Sequence, residues 1–332
     1  MASRDSTSES NPNKHPTNTT LKTKLNLLAA ALALAAPAFA QTSDEELLKQ
    51  LANPVASLIS VPFQSNFDFR MGPLDQGTQF KLNFQPVIPI SMSKDWNLII
   101  RTIVPYVSQE DVFKGPLPQF PGLPGDVPDA LERAAEKAFN KAVKKRFPND
   151  AHQDGLSDIV QSFFFSPKEP VGGWILGFGP VLLYPTATDD KLGTEKWAAG
   201  PTALALKQNG GWTYGVLGNH LWSYAGNEDR RSVNATFVQP FLSYATKTKT
   251  TFGLNAESTY DWNNSQWTVP VNATVSQLVK VGGLPVQFTV GGRYYAEGPS
   301  GAPEWGLRFV ITPLFPTGAK PASAPDGKSS AK

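Results

Sequence analysis

Six stretches of the chain alternate apolar and polar residues with a period of two, the mark of strands that have one dry and one wet face. VPFQSNFDFRM sets Val61, Phe63, Phe67, Phe69 and Met71 against Gln64, Asn66, Asp68 and Arg70. FKLNFQPVIPI sets Phe80, Leu82, Phe84, Ile88 and Ile90 against Lys81, Asn83 and Gln85. QWTVPVNATVSQ does the same with Trp267, Val269, Val271, Ala273 and Val275, and TFGLNAESTYDW, VQFTVGGRYYAE and WGLRFVITPLF complete the set. Six less regular strands are expected near 96–108, 158–167, 174–186, 196–207, 212–224 and 233–246. The run Phe163-Phe164-Phe165 has no dry and wet side, so its faces stay unassigned. The total of twelve strands is even, and each is longer than the five or six residues usual in soluble sheets. Tilted spans of about nine to eleven residues are what a bilayer requires.

The connections support the same reading. SMSKD, KEPVGG, QNGG, KTK and GGLP are tight turns, and they alternate with longer links such as TATDDKLGTEK and GNEDRR and a very long one from about 110 to 157. Short turns on one side and long loops on the other fit a transmembrane antiparallel up-and-down β-barrel, an all-β fold. Trp96, Trp174 and Trp212 open strands at the short-turn end, whereas Trp197, Trp222, Trp262, Trp267 and Trp305 lie at the long-loop end. Such placement suits two aromatic girdles at the bilayer interfaces better than a soluble core. A short N-terminal helix is expected within 41–59, in DEELLKQLANPVASLI, and a second in the long-loop insertion 116–152, in PDALERAAEKAFNKAVKKRF. The second ends on Lys144, Lys145 and Arg146 and reads as a solvated surface helix or as a basic flap over the barrel mouth. The barrel is expected over 60–315 and a low-complexity tail over 316–332.

Lys22 and Lys24 precede LNLLAAALALAAPAFA, whose end at Ala38-Phe39-Ala40 fits signal-peptide cleavage, so residues 1–40 read as a signal peptide with an extended leader. Without the leader's four basic and two acidic residues, the totals of 30 and 28 fall to 26 each. A formally neutral mature chain argues against nucleic acid as a partner. The absence of cysteine rules out disulfides and thiolate chemistry. Mean hydropathy of −0.25 excludes a helical membrane protein but not a barrel, in which only alternate residues meet lipid.

The segments LANPVASLISVPFQSNFDF, QPVIPISMSKDWNLIIRTIVPY, DIVQSFFFSPKEPVGGWILGFGPVLLYPTATDD, LGTEKWAAGPTALALKQNGGWTYG and STYDWNNSQWTVPVN resemble a Gram-negative outer-membrane family labelled "transporter" or "neuromedin U". That family is grouped with outer-membrane proteins of the phenol meta-cleavage pathway, and the resemblance spans roughly residues 47–316. It implies a barrel in the cell outer membrane that takes up small, in some cases aromatic, compounds and carries no catalytic motif. Phe315 stands where the outer-membrane insertion machinery reads a terminal aromatic residue, although a tail of 17 residues follows it.

With the apolar face against outer-membrane lipid, the pore-lining candidates are Asp68, Arg70, Lys81, Arg101, Glu257, Arg293 and Arg308. Hairpin arithmetic pairs Arg70 with Gln79 and so Asp68 with Lys81, and Glu297 with Glu304 and so Arg293 with Arg308. Pairing Trp262 with Trp267 sets Asn272 opposite Glu257. Two facing arginines require a carboxylate or an anionic solute between them; the group forms either a charged passage or an ion-pair network that fills a narrow barrel. The main rival is an enzyme acting on outer-membrane lipid, for which His220 is a possible base. Ser223 falls on the other strand face from it, and His152 has no evident partner in the long loop, so no catalytic residue is expected. No phosphate-binding glycine loop, metal-ligand spacing or cofactor site is found. A channel passing or binding a small solute, with aromatic and anionic compounds as the candidates, is therefore the leading expectation; a non-conducting structural barrel is the third.

Overall fold

The computed structural model describes residues 43–113, 127–146 and 152–316. The expected leader, the Pro/Gly-rich part of the insertion and the tail beyond residue 316 lie outside them. Seventeen strand segments form one sheet, and they combine into a closed antiparallel barrel of twelve strands. In chain order these are β1 (Leu58–Ser60 and Phe63–Met71), β2 (Gly77–Phe84 and Val87–Ser91), β3 (Trp96–Glu110) and β4 (His152–Leu156 and Ile159–Pro167). They continue as β5 (Ile175–Tyr184), β6 (Lys196–Asn209), β7 (Trp212–Gly226) and β8 (Asn234–Ala245). The last four are β9 (Thr250–Ala256 and Ser258–Asp261), β10 (Gln266–Thr268 and Pro270–Val281), β11 (Leu284–Tyr295) and β12 (Trp305–Pro316).

Each strand pairs with its chain neighbours, and β12 closes the barrel on β1 with Pro316 beside Leu58 and Ile311 beside Phe63. That register is unchanged across the gap between the two halves of β1, so the interruption is local. Proline, which has no N–H for the ladder, marks such interruptions at Pro62, Pro86 and Pro270. Only β4 changes register between its halves, with a bulge near Ser157 and Asp158. Asp158 is buried there and accepts from the Ala187 and Thr194 backbone and from the Thr194 hydroxyl, which folds the β5–β6 loop back onto the barrel.

The alternation decides the faces. Phe67, Phe309, Val290, Val275 and Leu254 are exposed on the outside, and Asn66, Arg308, Asn272 and Ser276 are buried inside. All eight tryptophans are exposed. At the short-turn end Trp96, Trp174 and Trp212 pack on Phe178, Tyr214 and Tyr244. At the long-loop end Trp197, Trp222, Trp262, Trp267 and Trp305 pack on Tyr184, His220, Tyr260 and Phe69.

Helix α1 (Asp44–Leu51) starts on Ser43, whose hydroxyl accepts from the Glu46 N–H at 3.2 Å, and it carries three acidic residues in its first turn. Its buried face, Leu47 and Leu48, packs with Ala56 and Leu58 on Leu278 of β10 and Leu314 of β12. Just after the helix, Val55 packs on Ile99, Phe164, Leu204, Leu206 and Leu217. These wall residues point inward, so residues 44–58 sit inside the short-turn mouth. Here both faces of the wall are apolar, which assigns the Phe163–Phe165 run: Phe164 meets Val55's cluster inside and Phe165 meets Phe178 outside, at 6.3 Å. Asn97 donates to Ser57 and Gln208 to the Lys49 carbonyl, tying the segment to the wall. Lys249 in the β8–β9 turn and Lys280 at the end of β10 reach Asp44. Helix α2 (Asp129–Arg146) occupies the insertion, with Leu131 exposed; the side chains of Lys144, Lys145 and Arg146 lie outside the described residues.

Leu47→Ala should cost the docked helix about 2–5 kcal/mol. Trypsin is expected to cut after Lys49 at least several-fold faster in that variant while the barrel keeps its heat-modifiable migration. Unchanged cleavage would refute internal docking.

Candidate functional site

Above the docked segment, toward the long-loop end, six charged side chains meet in the interior. Cross-strand position explains how. Asn66 of β1 is the partner of both Lys81 on β2 and Arg308 on β12, and Asn272 of β10 is the partner of both Asn255 on β9 and Arg293 on β11. Inward parity on six strands, β1, β2, β3, β9, β11 and β12, therefore delivers the group to one region.

Arg308 is its centre. The guanidinium donates from both terminal nitrogens to the two Glu257 oxygens, each at 2.8 Å, and from Nε to Asn66 Oδ1 at 2.8 Å. This is the planar two-pronged geometry that guanidinium and carboxylate prefer. Arg293 is looser: its Nε lies 3.7 Å from Asp68 Oδ1, its Nη2 lies 3.8 Å from Glu257 Oε2, and its Cζ sits 5.3 Å from the Tyr295 ring centre. Asp68 Oδ1, Arg293 Nε and Asn272 Oδ1 are buried without a hydrogen-bond partner. Arg101 of β3 donates to Gln85 Oε1 at 2.9 Å. Among the described residues, neither Lys81 nor Arg101 has a carboxylate within ion-pair distance. Toward the rim, Gln79, Gln109 and Gln153 form an amide row at 2.7 and 3.2 Å.

Beneath this roof lies a cavity of about 330 Å³. Arg101 and Arg308 border it above, with Gln64, Gln239, Ser243, Thr274, Thr289 and Thr312 on its walls. Leu48, Leu51, Val87, Leu217 and Phe241 supply apolar patches. Its floor is the segment after α1. Gln50, Asn53 and Ala56 face both this chamber and a second cleft of about 960 Å³ at the short-turn mouth, bordered by Trp96, Lys168 and Val171.

The expected partners are corrected in detail. Asp68 stands opposite Gln79, and Lys81 opposite Asn66. Arg293 faces Gly306 and Arg308 faces Gly291, so the two arginines are not opposite each other. Tyr260 pairs with Trp267, and Asn272 pairs with Asn255 rather than Glu257. Arg70 leaves the interior set altogether: it has φ +61°, is 59% exposed and pairs with Glu304 at 3.0 Å on the rim. The bulge between Phe69 and Met71, at the end of β1, rotates it out of the alternation. Asn66, Gln85 and Tyr295 were missed, although each shares the polar parity of the charges.

On the outer wall, His220 Nδ1 lies 2.7 Å from Thr236 Oγ1 and Nε2 lies 3.1 Å from Asn234 Oδ1. Trp262 Nε1 donates to the same Thr236 oxygen at 2.8 Å. Ser223 is elsewhere, its hydroxyl accepting from the Val233 N–H. His152, expected to be partnerless, sits 3.3 Å from Asp154 and 3.7 Å from Glu110 on the surface. Among the described residues no group of three or more His, Asp or Glu is placed to hold a metal ion, and no helix is long and apolar enough to cross a membrane.

No family model matches the chain, and no curated relative does. Solved structures do. The COG4313 outer membrane channel from Pseudomonas putida F1 superimposes with a TM-score of 0.54 at 12% identity, over 78% of this chain and 96% of that one. The NanC porin gives 0.41 at 8% identity over 77% and 98%, and outer membrane phospholipase A from Escherichia coli gives 0.40 at 9% over 82% and 97%. The first of these shows the fold, that of an outer-membrane β-barrel. With the exposed apolar band and the two aromatic belts, the fold places this protein in a Gram-negative outer membrane.

Removing one partner of a buried ion pair leaves the other charged and unpaired, at a cost of about 3–5 kcal/mol. Glu257→Gln should therefore lower the barrel's thermal midpoint, and adding Arg308→Met should restore most of it. Equal midpoints for wild type and Glu257→Gln would show that the pair contributes nothing.

Proposed function

We propose that the protein is a gated outer-membrane channel through which a small solute crosses by way of the interior chamber. Asp68, Lys81, Arg101, Glu257, Arg293 and Arg308 line its narrow upper part, and residues 50–56 close its lower end. The observation that carries this reading is the chamber itself, which is separated from the short-turn cleft by one thin segment of chain. Passage requires the α1 segment to shift, or its side chains to part. Phe315 on the last strand supports recognition by the insertion machinery, with outer-membrane lipid around the belts.

Purified protein in a planar bilayer should show small, frequently closed conductance steps. Leu47→Asp, which puts a charge on the docked helix face, should raise the open fraction at least several-fold. Silence in both proteins would sink the channel reading.

The closed state also responds to acid. The hydrogen bond from Lys249 holds the Asp44 carboxyl below its usual range, against the smaller opposing effect of burial, with added attraction from Lys280. A depressed acid contributes its docking strength above the ordinary carboxylate value of 3.8 and loses it as pH falls through the lower docked-state value. Partly exposed pairs are worth at most about 1 kcal/mol, so the open fraction should rise by no more than about fivefold below pH ~4. Asp44→Asn should be constitutively raised and flat over the same pH range.

One observation favours the enzyme as a second reading: Thr236, His220 and Asn234 are ordered as nucleophile, base and orienting group on the lipid face. Phospholipid turnover abolished by His220→Ala would establish it. Lipid left intact by the wild-type protein would remove it.

A further inference from the structure

We propose that the chamber roof is a binding site for a small organic carboxylate, with Arg101 as its anchoring cation. This inference rests on the channel reading and names the solute class. Its basis is a charge imbalance. Four cations, Lys81, Arg101, Arg293 and Arg308, share the interior with two carboxylates, Asp68 and Glu257. Glu257 has both oxygens on Arg308, and Asp68 lies 3.7 Å from Arg293. Among the described residues, neither carboxylate comes within ion-pair distance of Arg101.

Arg101 uses one of its five N–H donors, on Gln85. The Arg101 side chain borders the chamber. A guanidinium withdrawn from bulk water needs a counter-charge, and a carboxylate meets its planar fork with two parallel hydrogen bonds. The rest of the chamber suits a compact organic body rather than a bare ion. Val87 is the cross-strand partner of Arg101, and Leu217 and Phe241 border the same space, with threonine and glutamine side chains opposite. About 330 Å³ lies at the lower end of the range for small-molecule pockets. A solute of benzoate size fits that room, whereas a cation of the same shape meets an interior in which four cations face two carboxylates.

The test uses the full chain folded in detergent micelles at low salt, titrated calorimetrically with benzoate, benzylamine and sulfate. Benzoate should bind saturably, and benzylamine should not bind. Sulfate should bind at least tenfold more weakly than benzoate; equal binding would overturn an organic carboxylate as the ligand. Arg101→Gln should weaken benzoate by tenfold or more, and Arg101→Lys, which keeps the charge and loses the fork, should fall between. Should Arg101→Gln fail to fold, as judged by heat-modifiable migration, Lys81→Gln supplies the same reading with a smaller loss, since it removes the other cation without a carboxylate at ion-pair distance. Benzoate affinity untouched by the folded variants would overturn the proposal, as would benzylamine binding equally well. The two readings separate in the planar bilayer. Current without benzoate binding leaves the channel and removes the site; benzoate binding without current supports the site and removes the channel.

Discussion

A hydrocarbon environment offers no partner to a backbone N–H or C=O, and the rest of this structure depends on that constraint. Each unmade bond costs several kcal/mol, so a sheet in a membrane must close on itself. Here closure is the pairing of β12 with β1, carried in one register from Leu58 to Phe69 despite the break at Pro62. Once the sheet is closed, every strand has an outside and an inside, and period-two alternation sends each side chain to one or the other. Phe67 and Phe309 meet edge to face outside, while Asn66 and Arg308, one residue away on each strand, hydrogen-bond inside. The charged interior follows from the apolar exterior.

The interior is not uniform along the barrel axis, and its two halves answer to different physics. Near the short turns Ile99, Phe164, Leu206 and Leu314 point inward and need an apolar partner, which α1 and Val55 provide. Farther up, an ionic group occupies the same cross-section. Ion pairs of this kind add little net stability compared with a packed apolar core, because desolvation offsets most of the attraction. If stability were the only requirement, the leucine-rich packing of the lower half could continue upward. That it gives way to four cations and two carboxylates beside an unfilled chamber argues that this level is shaped for a polar visitor.

Face assignment was legible from the sequence and register was not, for a definite reason. The faces of β1, β2, β9, β10, β11 and β12 follow from parity alone, which needs only neighbouring residues. Register depends on where each hairpin places its turn as well as on how many residues the turn takes. At β1–β2 the left-handed Arg70 introduces a bulge, and at β9–β10 the four-residue turn spans 262–265, one position before the turn that Trp262–Trp267 pairing assumes. The paired residues consequently differ by two from simple hairpin counting. Because the difference is even, Asp68, Lys81, Arg293 and Arg308 keep the same face while changing neighbours. Arg70, inside the bulge itself, changes face. The docking of α1 had a sequence signal as well: Phe163-Phe164-Phe165 lacks alternation because its inner face meets protein rather than water.

The balance of forces on the α1 segment bears on what can open the lower end. Burying Leu47, Leu48, Val55 and Leu58 contributes about 1.5–3 kcal/mol for each side chain, before the entropy of ordering the segment is subtracted. The Asp44 contacts with Lys249 and Lys280, all partly exposed, add about 1 kcal/mol at most. The apolar contacts therefore hold the segment, and the ionic latch only trims that hold. Full withdrawal would also expose Ile99, Phe164 and Leu206 to water, which makes expulsion of the whole plug the costlier route. Shifting Gln50 and Asn53, the half-buried part of the floor between chamber and cleft, leaves Leu47, Leu48, Val55 and Ala56 in their clusters. Opening by local rearrangement of residues 50–54 is thus the motion that the packing favours.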